Sequence, residues 1–310
     1  MSAWTDRAWR AAADAWIEEQ LAGLGAEIVG AIDQVHVYPW STVLRVPTGT
    51  GDVYFKANAP SLHHEAALVA LLASRRPDCV PPLLAADVER GWMLMADAGV
   101  KLRELVAVER TLTRWHDVLR LYAGVQLDVV ADVDAMLALG VPDLRLAGLS
   151  SLAEAMLDEL RGLGADECRR AVAAMPQVAE QCAELASFGL PETIQHDDLH
   201  DGQVFVRDGR YLMLDWGDAC VSHPFFTLAV TLDGVIAWGV DDVEASEDTT
   251  PYRDAYLEPF SAHANADLIA AATIARRLGW LGRAVNGHLG GMEPGERTLV
   301  RLRMFLDGRA

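Results

Sequence analysis

The stretch Gln195-His196-Asp197-Asp198-Leu199-His200-Asp201-Gly202-Gln203 runs on into Val204-Phe205-Val206-Arg207-Asp208-Gly209-Arg210-Tyr211-Leu212-Met213-Leu214-Asp215-Trp216-Gly217-Asp218. Asp208-Gly209 lies between two apolar runs and reads as a two-residue hairpin turn. Pairing about that turn sets Gln203 opposite Leu214 and Asp215 beside Gly202. An amide oxygen and a carboxylate are thus expected at the open end of one hairpin, with Asp198 in the loop just before it. Hard oxygen donors gathered in this way suit Mg²⁺ carrying phosphate oxygens. Two other readings stay open. Either the polar residues decorate a loop, or His196 and His200 with nearby carboxylates serve a metal-dependent hydrolase. His223, His263 and His288 fall in no H-x-H or H-E-x-x-H arrangement that would favour the latter.

Upstream, residues 8–24 have apolar positions at helical spacing. Residues 43–46 and 53–56 are β-rich and separated by Gly and Pro punctuation, the pattern of a hairpin. Pro60-Ser61 opens a helix to about residue 76 with Ser61 as its cap, and residues 92–95 read as a buried strand. Beyond Ala98-Gly99 the chain turns helical. Windows cover 113–128, 151–161 (with a capping box from Ser151 to Glu154), 177–188, and most of the chain after 225. The expected fold class is α+β. A small β-rich N-terminal lobe spans residues 1–96, and a larger, mainly helical lobe spans 97–310 with one short β insertion.

The 310 residues include 26 Lys+Arg against 45 Asp+Glu, a formal charge of −19. With 51% hydrophobic and 23% charged residues, the balance is that of a folded globular protein. Such acidity argues against nucleic-acid binding, which needs a basic face, and against docking on an anionic membrane. It favours a cationic small molecule as partner, and Asp233 with the acidic residues of 241–248 would make a funnel for one. No apolar run reaches the roughly 18–20 residues of a membrane span. The first seven residues lack a signal-peptide layout. Cys79, Cys168, Cys182 and Cys220 form no C-x-x-C pair and read as buried thiols, so a cytoplasmic location is expected.

The segment from His196 to Gln203 resembles the catalytic loop of the aminoglycoside phosphotransferase family, written H-G-D-L-H-x-x-N, within the protein-kinase-like superfamily. Leu214-Asp215-Trp216-Gly217 resembles that family's metal-binding segment, the counterpart of D-F-G in protein kinases. The resemblance implies a bilobal protein-kinase-like fold. It also implies an ATP- and Mg²⁺-dependent transfer of the γ-phosphoryl group to a hydroxyl of a small, amine-bearing acceptor: an aminoglycoside, an amino sugar or an amino alcohol. Asp198 would take the hydroxyl proton, and Gln203 and Asp215 would hold Mg²⁺. Lys56, which with Lys101 makes up all the lysine in the chain, would pair the α- and β-phosphates, oriented by Glu65. Backbone groups of Ser41 and Thr42 would meet the phosphates, and Met93, Met95 and Ala96 the adenine. Asp197, His200, Trp216, Asp218 and Asp233 would face the acceptor. The chain departs from the family pattern in having Gln203 for Asn, Asp197 for Gly, and no glycine in Tyr38-Pro39-Trp40-Ser41-Thr42. A catalytically inactive nucleotide-binding relative is the alternative these departures leave.

Overall fold

The computed structural model describes residues 3–290 and 295–308. Helix α1 (Arg7–Gly23) starts where the Asp6 carboxylate accepts the N–H groups of Ala8 and Trp9, each at 2.9 Å. Strands β1 (Asp33–Val37), β2 (Ser41–Thr48) and β3 (Gly51–Asn58) follow, then helix α2 (His64–Arg75), then β4 (Leu83–Asp87) and β5 (Trp92–Ala96). The five strands form one antiparallel sheet in the order β1-β2-β3-β5-β4. Strand periodicity turns Val53, Phe55 and Ala57 to one face, where they bury against Trp16, Ile17 and Leu21 of α1. Trp16 packs 5.6 Å from the Phe55 ring and 5.8 Å from Trp92. Lys56 therefore takes the opposite face of β3, away from this core.

The expected helix from residue 61 instead begins at His64, behind a 3-10 turn at Pro60–Leu62, with no side-chain cap. The chain divides into two compact units, Met1–Gly99 with Val206–Gly217, and Val100–Phe205 with Asp218–Ala310. The first unit thus extends past residue 96 and takes in a later segment. Gly99 admits this, because a Cβ there would lie 2.2 Å from the Val206 carbonyl oxygen. The Met213 N–H donates to the Cys79 carbonyl at 2.7 Å.

After β6 (Val100–Lys101) the chain is mainly helical: α3 (Leu102–Glu109), α4 (Arg114–Asp128), α5 (Val133–Ala138), α6 (Leu146–Glu159) and α7 (Ala165–Ser187). Ser151 lies inside α6 and caps nothing. The helix starts a turn and a half earlier, where Glu192 accepts the Leu146 N–H at 2.5 Å. Strand β7 (Thr193–Gln195) leads into the catalytic-loop segment and is antiparallel to β10 (Cys220–Ser222). Between them lie β8 (Val204–Arg207) and β9 (Arg210–Met213), joined at Asp208-Gly209 with φ of 51° and 73°, as a turn of this type requires. Helices α8 (Thr250–Leu257), α9 (Asn265–Leu289) and α10 (Gly295–Leu306) complete the chain. The architecture is α+β, as expected.

Two glycines let α9 approach the 224–229 segment closely. A Cβ at Gly279 would lie 2.6 Å from the Phe226 carbonyl oxygen and 2.8 Å from Ala229 Cβ, and one at Gly282 would lie 3.2 Å from the Phe226 ring. Among the described residues, no helix is long and apolar enough to cross a membrane.

Candidate active site

In the first unit, β3 carries Lys56 and the first turn of α2 carries Glu65, and both side chains are buried. Lys56 Nζ lies 2.7 Å from Glu65 Oε2, and it donates to Asp215 Oδ1 at 2.5 Å. Asn58 Nδ2 donates to Glu65 Oε2 at 2.6 Å, so the buried carboxylate has two donors. Burial acts to discharge the lysine, but Asp215 and Glu65 together overcome it and hold the ammonium above its usual range. Burial pushes the Glu65 carboxyl up, with Lys56 opposing. Asp215 is exposed, and its backbone is left-handed at φ 64°. Glu65 and its neighbour His64 are both buried.

Several sequence candidates in this unit have other duties. Thr42 is fully buried and its hydroxyl donates to the His36 carbonyl at 2.7 Å, while Ser41 is buried in register with Asn58. Both side chains serve the sheet, so a phosphate contact here would fall to their backbone N–H groups. Met93 is fully buried, opposite Lys56 in the sheet. The Ala96 N–H donates to the Pro82 carbonyl at 3.0 Å, which leaves its carbonyl and Met95 as candidates for the base. Trp216 is fully buried and its indole N–H donates to Met213, so it lines no open surface.

In the second unit, a buried polar network fixes the strand that feeds the loop. Gln126 of α4 donates to the Ile194 carbonyl at 2.9 Å, Tyr256 donates to Gln126 Oε1 at 2.5 Å, and Thr193 donates to the Gln126 carbonyl at 2.7 Å. Beyond it, the His196 N–H donates to the Tyr122 hydroxyl at 2.8 Å, and His196 Nδ1 accepts the Asp198 N–H at 3.3 Å. His200 Nδ1 accepts the Gly202 N–H at 2.9 Å. Both imidazoles brace the loop. Among the described residues, no group of three or more His, Cys, Asp or Glu is placed to hold a metal ion.

Asp198 is half-buried and held at both oxygens. Arg283 of α9 donates to Oδ1, and His200 Nε2 lies 3.5 Å from Oδ2. Burial acts to raise its proton affinity, but Arg283 and then His200 outweigh burial and hold the carboxyl far below its usual range. Asp197 has φ 63°, which explains why glycine is usual at this position of the motif. Its buried carboxylate accepts from Asn286 Nδ2 at 2.8 Å, and burial lifts it to about 6 against the pull of Arg283 and Asn286. Asn286 also donates to the Asp218 carbonyl at 2.7 Å. Asp233 is paired with Arg276. Gln203 anchors the loop through its backbone, the N–H donating to the His200 carbonyl at 2.9 Å. Sequence reasoning missed Arg283 and Asn286; the signal was a pair of glycines one turn apart within an otherwise apolar helix, with polar residues beside them.

Burial works to discharge the His200 ring, yet Asp198 and Asp201 prevail and raise it from 6.5 to about 9. A second proton on Nδ1 would end its acceptance from the Gly202 N–H and leave Asp201 Oδ1, 3.8 Å away, as the facing charge. The folded value exceeds the unfolded one, so this stabilisation is complete below about pH 6.5 and is lost as pH rises through about 9. Thermal melts from about pH 7 to 10 should therefore fall more steeply for the native chain than for His200→Gln. Parallel curves would show that the ring is not linked to folding.

A model of the phosphotransferase enzyme family matches residues 34–269. No curated protein sequence matches the chain significantly. Among solved structures, aminoglycoside 2′-phosphotransferase-IIIa in its GDP complex is similar with a TM-score of 0.61 at 12% identity, over 96% of this chain and 99% of that one. A choline kinase from Cryptosporidium parvum has a TM-score of 0.62 at 10% identity, over 90% and 88%. A choline/ethanolamine kinase family protein from Mesorhizobium loti has 0.59 at 15%, over 94% and 92%. These likenesses establish a kinase-like fold, and with the family match covering most of its length, the chain belongs to the phosphotransferase enzyme family (APH), as a small-molecule kinase acting on a hydroxyl group.

Proposed function

We propose that this protein is a cytoplasmic, ATP- and Mg²⁺-dependent O-kinase that moves the γ-phosphoryl group of ATP to a hydroxyl of a small acceptor. The observation that carries the reading is Lys56, buried yet held charged between Glu65 and Asp215. An ammonium kept at this cost in desolvation suits anionic phosphates better than it suits a surface role. The residues present fit a magnesium ion. In the first unit Asp215 supplies an exposed hard oxygen, with phosphate oxygens and water to complete the shell, and Gln203 of the second unit is the further ligand that the motif suggests. When bound, the ion would neutralise phosphate charge.

In the transfer, the acceptor oxygen bonds to the γ-phosphorus as the bridging oxygen–phosphorus bond breaks. ADP departs with the electron pair. Asp198, held charged by Arg283, is a poor base at the outset. Its work is to accept a hydrogen bond from the hydroxyl, align it, and receive the proton late, when the new P–O bond has made it acidic. The amine on the acceptor that acidity suggested finds support in the net charge of −19 and in solved neighbours named for choline and aminoglycosides. The local pairing of the acidic residues bears against it.

Mg-ATP at a hundredfold excess over its Kd should stabilise the fold by about 2.7 kcal/mol, a rise of several degrees in Tm that EDTA reverses. ADP should then form with hydroxyl acceptors. Absence of both the shift and ADP would sink the proposal. A shift without turnover on any acceptor would return the reading to an inactive nucleotide binder.

A further inference from the structure

The carboxylates around the catalytic loop already have cations of their own. Asp198 pairs with Arg283, and Asp201 with Arg103 at 2.7 Å. Asp197 and Asp218 both act on Arg283, and Arg301 of α10 acts on Asp197. Arg283 and Arg301 are buried, and Arg301 Nη1 donates to the Arg283 carbonyl at 3.4 Å. Three guanidiniums and the His200 ring thus face four carboxylates. The net charge of the whole chain is therefore a poor guide to this centre.

We infer that Arg283 is a positioning residue serving as the resident counter-ion of Asp198, and that the acceptor is consequently a polyol or sugar bearing no ammonium beside its reacting hydroxyl. This rests on the kinase reading above. An ammonium drawn to Asp198 would meet the Arg283 guanidinium at the same carboxylate. To bind there it would have to displace that guanidinium from Asp198 onto Asp197 and Asp218, and so set a second positive charge beside a buried one. A neutral hydroxyl needs only a lone pair on Asp198 while Arg283 stays in place. The close approach of α9 permitted by Gly279 and Gly282 holds the guanidinium where this works, one helical turn from Asn286 on Asp197.

The test uses the full chain with Mg-ATP and ADP release. Without added acceptor, water stands in for the hydroxyl. Arg283→Gln should slow that release at least tenfold with the KM for ATP within twofold of native, and Arg283→Lys should recover a good part of the loss. A purely structural role would lower both variants' folded fraction and leave turnover per folded molecule unchanged, which would overturn the positioning claim. Matched acceptors then test the substrate class: glucose against glucosamine, and glycerol against ethanolamine and choline. The neutral member of each set should stimulate release more. Tenfold or greater preference for the ammonium-bearing member would overturn the inference while leaving the kinase intact. A native chain that neither binds Mg-ATP nor releases ADP would instead remove the kinase reading itself.

Discussion

Lys56→Met should destabilise the fold by about 3–5 kcal/mol, the range for stripping one partner from a buried ion pair. Glu65 would be left buried with Asn58 as its donor, and Asp215 without its ammonium. The loss has a sign in pH. Burial already raises the Glu65 carboxyl in the folded chain, and removing the lysine takes away the main opposing influence. A raised folded value favours the protonated form, so the variant is best folded at acid pH and loses stability as pH climbs through the folded value of Glu65. Urea unfolding at several pH values from about 5 to 8 should give a variant curve that falls with pH more than the native one. Nucleotide-dependent stabilisation should vanish with it. A variant within a few tenths of a kcal/mol of native at every pH would mean that the cluster is not the buried pair described.

Asp198→Asn should cut turnover by about a thousandfold, about 4 kcal/mol in the barrier, with ATP binding nearly unchanged. The amide keeps the size of the carboxylate but accepts more weakly and cannot take the proton. Arg283 would fall back on Asp197 and Asp218, its other carboxylates, so the stability cost should stay near 1–2 kcal/mol, less than for Lys56. Turnover above a tenth of native would remove Asp198 from its assigned role.

The parts of this site that could be read from sequence are those that local patterns carry. Asp208-Gly209 announces its turn, the strand ending in Lys56 alternates, and Glu65 follows within one helix. Arg283 could not be found that way. It meets Asp198 across 85 residues of chain, and a lone arginine on a helix reads as solvated. Helix starts were misread where a side-chain signal competed with a longer apolar repeat. Ser151-x-x-Glu154 resembles a cap, yet Leu146 and Leu149 continue the buried stripe upstream of it. The window read from residue 177 is the second half of α7, which runs through Pro176 from Ala165, where Glu167 accepts the Gly164 N–H at 2.8 Å. That the Thr42 hydroxyl is spent on the His36 carbonyl could not be read from sequence.

A catalytic centre neutralised from within constrains its own inheritance. A lineage that loses the arginine at 283 takes a shared cation from three acids at once, and one that loses Asp198 leaves the arginine to Asp197 and Asp218. Viable descendants should therefore change these positions in concert, with 197, 218, 286 and 301 drifting alongside, while the exposed acids of 241–248 wander independently.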